Sequence, residues 1–230
     1  MAILNRLDEA GRKFPNLIAD LYYHVNMLQL GDTEEHNGKV YWQGETAEAP
    51  GRFRIHFDTK KQGEGKTPAA QCVEDFVFDG SWLTIRKEEI KQMIKQQVAP
   101  PGEKINALQL GQGPFLVPFG QKADNVLRFF NVSTRPAQAD DPANTNYLKL
   151  VARPDKKDQV KLEWAELWVA KDTGLPIKIA TKDLNENITT VTFKDIKMPP
   201  TLPKDTFDLP QPPKDWEYRV QPYEGATPRP

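Results

Sequence analysis

The chain has one cysteine, two serines and three histidines in 230 residues, and each scarcity removes a class of function. A single cysteine, Cys72, permits no intramolecular disulfide and no cysteine-rich zinc site. It sits in a strand-like run, where a small buried hydrophobe is the expected role and a reactive thiol the alternative. Ser81 and Ser133 have no base near them in sequence, and there is no Gly-x-Ser-x-Gly elbow. His24, His36 and His56 have no mutual metal-ligand spacing. They read as polar-face histidines, with His24 and His56 placed to face each other across strands. Gly111-Gln112-Gly113 lacks the third glycine and the Lys-Ser/Thr pair of a phosphate loop. Charge of one sign is missing as well. The 31 Lys and Arg against 32 Asp and Glu leave a net charge of -1. A nucleic-acid binder or a general binder of anionic membranes carries a basic excess, so both classes are disfavoured. No apolar run approaches the ~20 residues needed to cross a bilayer. No leader is visible, because Met1-Ala2-Ile3-Leu4 runs directly into Asn5-Arg6-Leu7-Asp8-Glu9. The expectation is a cytoplasmic protein or a mature form whose leader has been removed.

What the chain does have is apolar alternation. Apolar residues make up 38% and aromatics 10%, enough for a substantial core. In Gly51 to Phe57, Phe53, Ile55 and Phe57 alternate with Arg52, Arg54 and His56. Successive side chains of a strand point to opposite faces, so this run has one apolar and one basic face. In Cys72 to Leu83, Phe76 and Phe78 lead into Asp79-Gly80, a hairpin signal, and Trp82 follows.

Ile3, Leu4, Leu7, Ala10 and Phe14 have helical spacing, so a helix is predicted over 2–13, ended by Pro15. Strands are predicted over 17–30, 39–44, 51–58, 72–79 and 81–87, with His36-Asn37-Gly38 as a turn between the first two. Glu88 to Val98 fits a helix or a strand equally by period. Leu108 to Gly120 is rich in glycine and proline yet apolar, so it must lie on something apolar. It is predicted to be a lid of short helical turns, continued by Val126, Leu127, Phe129 and Phe130. Four further strands, 147–151, 160–170, 177–182 and 188–196, form an antiparallel meander. The tail from Pro199 to Pro230 is proline-rich and is predicted to be loosely held, with Phe207 and Trp216 as anchors.

This pattern predicts a mainly β fold: a strongly curved antiparallel sheet of about ten strands forming an incomplete barrel, with helices covering its concave hydrophobic face. Residues 1–210 form one domain and 211–230 a tail. A half-open sheet of this kind encloses more volume than its side chains fill. Leu21, Tyr23, Trp42, Phe53, Phe57, Phe76, Phe78, Trp82, Leu116, Phe119 and Trp168 are the candidate cavity-lining residues. For each, an ordinary packed core is the competing role.

The ordered set Pro50-Gly51-Arg52-Phe53-Arg54, then Phe76-Val77-Phe78-Asp79-Gly80-Ser81-Trp82-Leu83, then Thr189-Thr190-Val191-Thr192-Phe193-Lys194-Asp195-Ile196-Lys197 and Leu202-Pro203-Lys204-Asp205-Thr206-Phe207-Asp208-Leu209-Pro210 resembles a known family. That family is the periplasmic outer-membrane lipoprotein carrier, LolA, with its wider lipoprotein-localisation superfamily. The likeness runs over roughly residues 2–210 and is to a divergent branch of planctomycete type. It implies an incomplete barrel with a covered hydrophobic cavity, a periplasmic home and the strand alternative for 88–98. It implies an acyl chain of a lipoprotein or lipid as ligand, an envelope protein that delivers or receives it, and no cofactor. One departure stands out: the family has an arginine before the proline of this strand, and that arginine holds the lid closed. This chain has Ala49 there.

Three functions are compatible with these features. A non-catalytic acyl-chain carrier needs a deep apolar cavity. An envelope-stress sensor or scaffold on the same fold more often needs an added domain, which the short proline-rich tail does not supply. An enzyme needs polar groups converging on the cavity, and no catalytic constellation is apparent.

Overall fold

A computed structural model describes residues 2–63, 65, 69–98, 100, 110 and 118–223. The predicted helix forms as α1 (Ala2–Lys13), and Leu4, Leu7 and Ala10 bury its apolar stripe. Arg12 and Lys13 in its last turn complement the negative end of the helix dipole.

Among the described residues twelve strands make one sheet: β1 (Asn16–Met27), β2 (Asp32–Gln43), β3 (Arg52–Gln62), β4 (Ala70–Phe78), β5 (Trp82–Lys87), β6 (Gln92–Gln97), β7 (Phe130–Ser133), β8 (Thr145–Ala152), β9 (Leu162–Ala170), β10 (Pro176–Asp183), β11 (Ile188–Lys197) and β12 (Glu217–Gln221). A short helix α2 (Ala123–Phe129) precedes β7. The spatial order is β12-β6-β5-β4-β3-β2-β1-β11-β10-β9-β8-β7. All pairs are antiparallel except β12 with β6. The sheet does not close, and β12 and β7 are its edges, so the architecture is an incomplete barrel. Both helices lie on the concave face. Leu4 and Leu7 of α1, and Val126 and Phe129 of α2, share one buried cluster with the inward residues of β1–β5 and β8–β11.

Three expectations are corrected. The turn predicted at His36-Asn37-Gly38 does not exist, because β2 runs unbroken through it. The chain turns instead at 28–31, where Gly31 takes a φ of 62°. Gly38 serves a close approach: a Cβ there would lie 1.8 Å from the carbonyl oxygen of His56, beside the bulge of β3. His36 is therefore buried in a strand and is not a turn residue.

The hairpin at Asp79-Gly80 does form, one residue later than its sequence signal. The Asp79 N–H donates to the Trp82 carbonyl at 3.1 Å, so Gly80 and Ser81 are the central pair. Asp79 Oδ1 accepts from the Ser81 and Trp82 amides, and Gly80 has φ 106°.

The tail is strapped across the outer face instead of hanging free. Asn16 donates to the Pro200 carbonyl, and Arg54 to that of Thr206. Arg52 lies 4.6 Å from the Phe207 ring and Arg86 4.8 Å from that of Trp216. Phe207 and Trp216 are anchors, as predicted. The chain then pairs as β12 along β6, which supplies hydrogen-bond partners to what would otherwise be an unpaired edge. Together β7 and β12 raise the strand number above the ten expected.

Candidate ligand-binding site

Directly opposed residues on neighbouring strands share a face, so the pairing registers define transverse rows on the concave side of β1 to β5. The row at the α1 end is Leu17, Trp42, Phe53, Phe78 and Leu83. The next is Ala19, Val40, Ile55, Phe76 and Ile85. The third is Leu21, Gly38, Phe57, Glu74 and Lys87. The fourth begins Tyr23, His36 and Lys60, with Glu34 one step beyond. The face thus grades from wholly apolar to charged along the strand direction.

The apolar rows are held by ring contacts. Phe53 stacks on Phe78 at 5.6 Å, Phe57 meets Phe76 edge-on at 6.0 Å, and Tyr23 lies 5.8 Å from Phe57. A turn after residue 117 lays Phe119 into this surface, 6.0 Å from Trp42 and 4.8 Å from Phe193 of β11. The fit is tight: Gly120 has φ 68°, and a Cβ on it would come within 2.7 Å of the Trp42 ring. A Cβ on Gly11 of α1 would come within 2.8 Å of Gly120. Trp42 and Phe119 are each only 1% exposed. The Trp42 indole N–H has no hydrogen-bond partner among the described residues.

The charged end is a linked network. Lys60 Nζ lies 3.2 Å from Glu34, and Lys87 Nζ 3.3 Å from Glu74. His36 Nε2 lies 2.5 Å from Glu34 Oε1. Burial pushes the Glu34 carboxyl up, but the hydrogen bonds from His36 and Lys60 outweigh it and hold the group below its ordinary value. Cys72 lies beside Glu74, and burial pushes its thiol up, which suits an inert buried residue. The turns at this end of the sheet expose Leu28, Leu30, Ile90 and Leu184.

Of the candidate residues, Leu21, Trp42, Phe53, Phe57, Phe78 and Phe119 are buried in the concave cluster, and Tyr23 and Phe76 pack against it half-buried. Trp82 and Trp168 are not part of it. Trp82 is on the outer face, where Lys95 lies 5.3 Å from its ring. Trp168 belongs to a separate outer cluster with Tyr147 and Ala180. Its indole N–H donates to Asp141 at 2.6 Å, and Arg135 binds the same carboxylate while lying 3.7 Å from the Tyr147 ring. Leu116, and with it residues 108, 109 and 111–117 of the predicted lid, lies outside the described residues. Leu17, Leu83 and Ile85 lie in or against the same concave cluster and were missed, as were His36, Lys60 and Glu74 on that face. His24 points away from the concave face, and His56 pairs with Asp75 at 2.9 Å on the outer side. Among the described residues no three or more His, Cys, Asp or Glu side chains are grouped to hold a metal. No helix there is long and apolar enough to cross a membrane.

No family model and no curated protein matches the chain. Solved structures do. An uncharacterized conserved protein of Thermus thermophilus superposes with a TM-score of 0.54 at 12% identity, over 96% of this chain and 98% of that one. A LolA superfamily protein of Nitrosomonas europaea gives 0.42 at 13% identity, over 90% and 96%. The Pseudomonas aeruginosa MucA/MucB complex gives 0.45 at 17% identity, over 91% of this chain and 60% of the matched one. The chain is thus similar in fold to the Thermus thermophilus protein over nearly the whole of both chains.

Proposed function

We propose that this protein is a non-catalytic binder of the acyl chains of lipids or lipoproteins, working in the cell envelope. The observation that carries the reading is the row pattern on β1 to β5: two apolar rows continuing into a charged end on the same face. An acyl chain with a polar head has the same polarity. The sequence likeness to the lipoprotein carriers supports it independently.

The energetics are adequate. Burying one methylene contributes about 0.8 kcal/mol, so ten contribute about 8 kcal/mol before association and ordering costs. The ligand takes the place of Phe119 against Trp42 and Phe193, with the 118–121 turn moving aside. Lid closure by a latching arginine is not part of this reading, since Ala49 stands in that position.

The test is displacement of a fluorescent fatty-acid probe from wild type and from Phe78→Asp. Wild type is expected to bind at micromolar concentrations. The variant places an unpaired carboxylate in the apolar row and is expected to lose binding at least tenfold while retaining its circular dichroism. Failure of wild type at tens of micromolar, or equal binding by a folded variant, ends the acyl-chain reading.

A second reading, a sensor that binds an envelope protein, is favoured by edge strand β12. Its Tyr218 and Val220 are exposed beside an open backbone edge, the form of surface that a partner strand pairs with. On that reading, Val220→Pro abolishes partner binding and leaves probe binding intact.

A further inference from the structure

The charged end of the concave face selects a headgroup, an inference that rests on the acyl-chain reading above. His36 is 4% exposed and belongs to the fourth row, between Leu21 and Phe57 of the third row and Glu34 beyond it. Its ring lies 4.6 Å from that of Phe57 and 6.0 Å from that of Tyr23. Glu34 is held as a carboxylate, which only accepts hydrogen bonds, so His36 Nε2 carries the proton between them. In the neutral ring Nδ1 then has a free lone pair. Among the described residues Nδ1 has no partner at all. Buried polar atoms are nearly always bonded, so an orphan acceptor at this boundary calls for a donor from outside the chain.

The surroundings restrict what that donor is. Glu34 and Glu74 are matched by Lys60 and Lys87, each carboxylate within 3.3 Å of an ammonium, so beside a neutral His36 no net positive charge is left for an anionic head. A fatty-acid carboxylate presents no hydrogen to Nδ1 and would meet its lone pair. A hydroxyl presents one.

We propose that His36 Nδ1 accepts a hydrogen bond from a headgroup hydroxyl, and that the ligand class is a neutral acylglycerol. The chain lies along the rows of Phe57, Phe76 and Phe53, with its glycerol end at His36, Lys60 and Glu74. Tyr23 and Phe57 wall the boundary and keep water from competing for the lone pair.

The experiment compares a monoacylglycerol with the methyl ester of the same chain, and with the free fatty acid, by titration of the full-length protein. Wild type is expected to bind the monoacylglycerol about tenfold more tightly than the methyl ester, the effect of one buried hydrogen bond. The fatty acid should bind no better than the methyl ester. In His36→Phe the preference for the monoacylglycerol over the methyl ester should fall to about onefold. If wild type binds both esters equally, or a folded His36→Phe keeps the preference, the headgroup assignment is overturned and the acyl-chain reading stands. If neither ester binds, the acyl-chain reading falls and takes this inference with it. Should His36→Phe fail to fold, the comparison of the two esters on wild type decides alone.

Discussion

The two halves of the sheet use their concave faces differently. In β8 to β11 the inward residues are Leu148, Leu150, Leu167, Ala165, Ile179, Val191 and Phe193, with Thr181 and Thr189 beyond them and a single carboxylate, Asp183, engaged in holding the turn through Asn185 and Asn187. In β1 to β5 the same face begins apolar and ends in Glu34, His36, Lys60, Glu74 and Lys87. A face that only has to stabilise a fold gains nothing from burying charges, because desolvation offsets their pairing. The C-terminal half therefore reads as the scaffold and the N-terminal half as the working surface.

That contrast breaks if Phe119 behaves as an ordinary core residue. Phe119→Ala is expected to cost about 4 kcal/mol in urea unfolding, as large-to-small changes at buried aromatics do. It should also tighten acyl-probe binding severalfold, because it vacates the space a chain would fill. Destabilisation with unchanged or weaker binding would place Phe119 with the scaffold. Leu167→Ala, in the C-terminal half, is expected to cost about 3 kcal/mol and leave probe affinity within twofold in the folded fraction.

The outer face of the N-terminal half adds a pH test. His56 is held above its ordinary value of 6.5 by its hydrogen bond to Asp75, with burial opposing. Its contribution to stability is therefore complete below about pH 6.5 and is lost as pH rises through the raised value. For Asp75, burial pushes the carboxyl up, but His56 and Arg54 outweigh it and hold it below 3.8. Its contribution is complete above about pH 3.8 and is lost as pH falls through the lowered value. Arg54 also holds the tail at Thr206. Urea midpoints should thus peak between these limits, and His56→Gln should flatten the decline on the alkaline side and reduce the one on the acid side, where Arg54 alone then holds Asp75 down. The smallest effect is expected at Trp82. Trp82→Ala on the outer face should leave probe affinity within twofold, and a larger loss would return Trp82 to the lining.

Much of this was legible in the chain. The 2–13 helix was written in the spacing of Leu4, Leu7 and Ala10, and the strand faces in the alternation of Phe53, Ile55 and Phe57. The errors have specific causes. A two-residue turn pairs even with odd positions, so Phe76 and Phe78 share their face with Leu83 and Ile85; the size of Trp82 misled where parity would not have. Trp168 lies in the run Leu167 to Val169, which is buried on both faces, and alternation cannot choose a side there. Asn37-Gly38 has the composition of a turn, but its glycine answers to the backbone of β3, a partner distant in sequence. The pairing of β12 with β6 is likewise a long-range contact with no local signal. His36, the residue on which the headgroup inference rests, was hidden by the same mistaken turn.

The most direct measurement places nitroxide-labelled acylglycerols on the isotopically labelled protein and reads paramagnetic broadening of its methyl signals. With the nitroxide at the chain end, Leu17 and Leu83 should broaden first. With the nitroxide near the glycerol, Val25 should broaden and Leu17 should not. Broadening that ignores the label's position, or that falls on the outer face around Ile177 and Ala180, would contradict a concave site graded from apolar to polar.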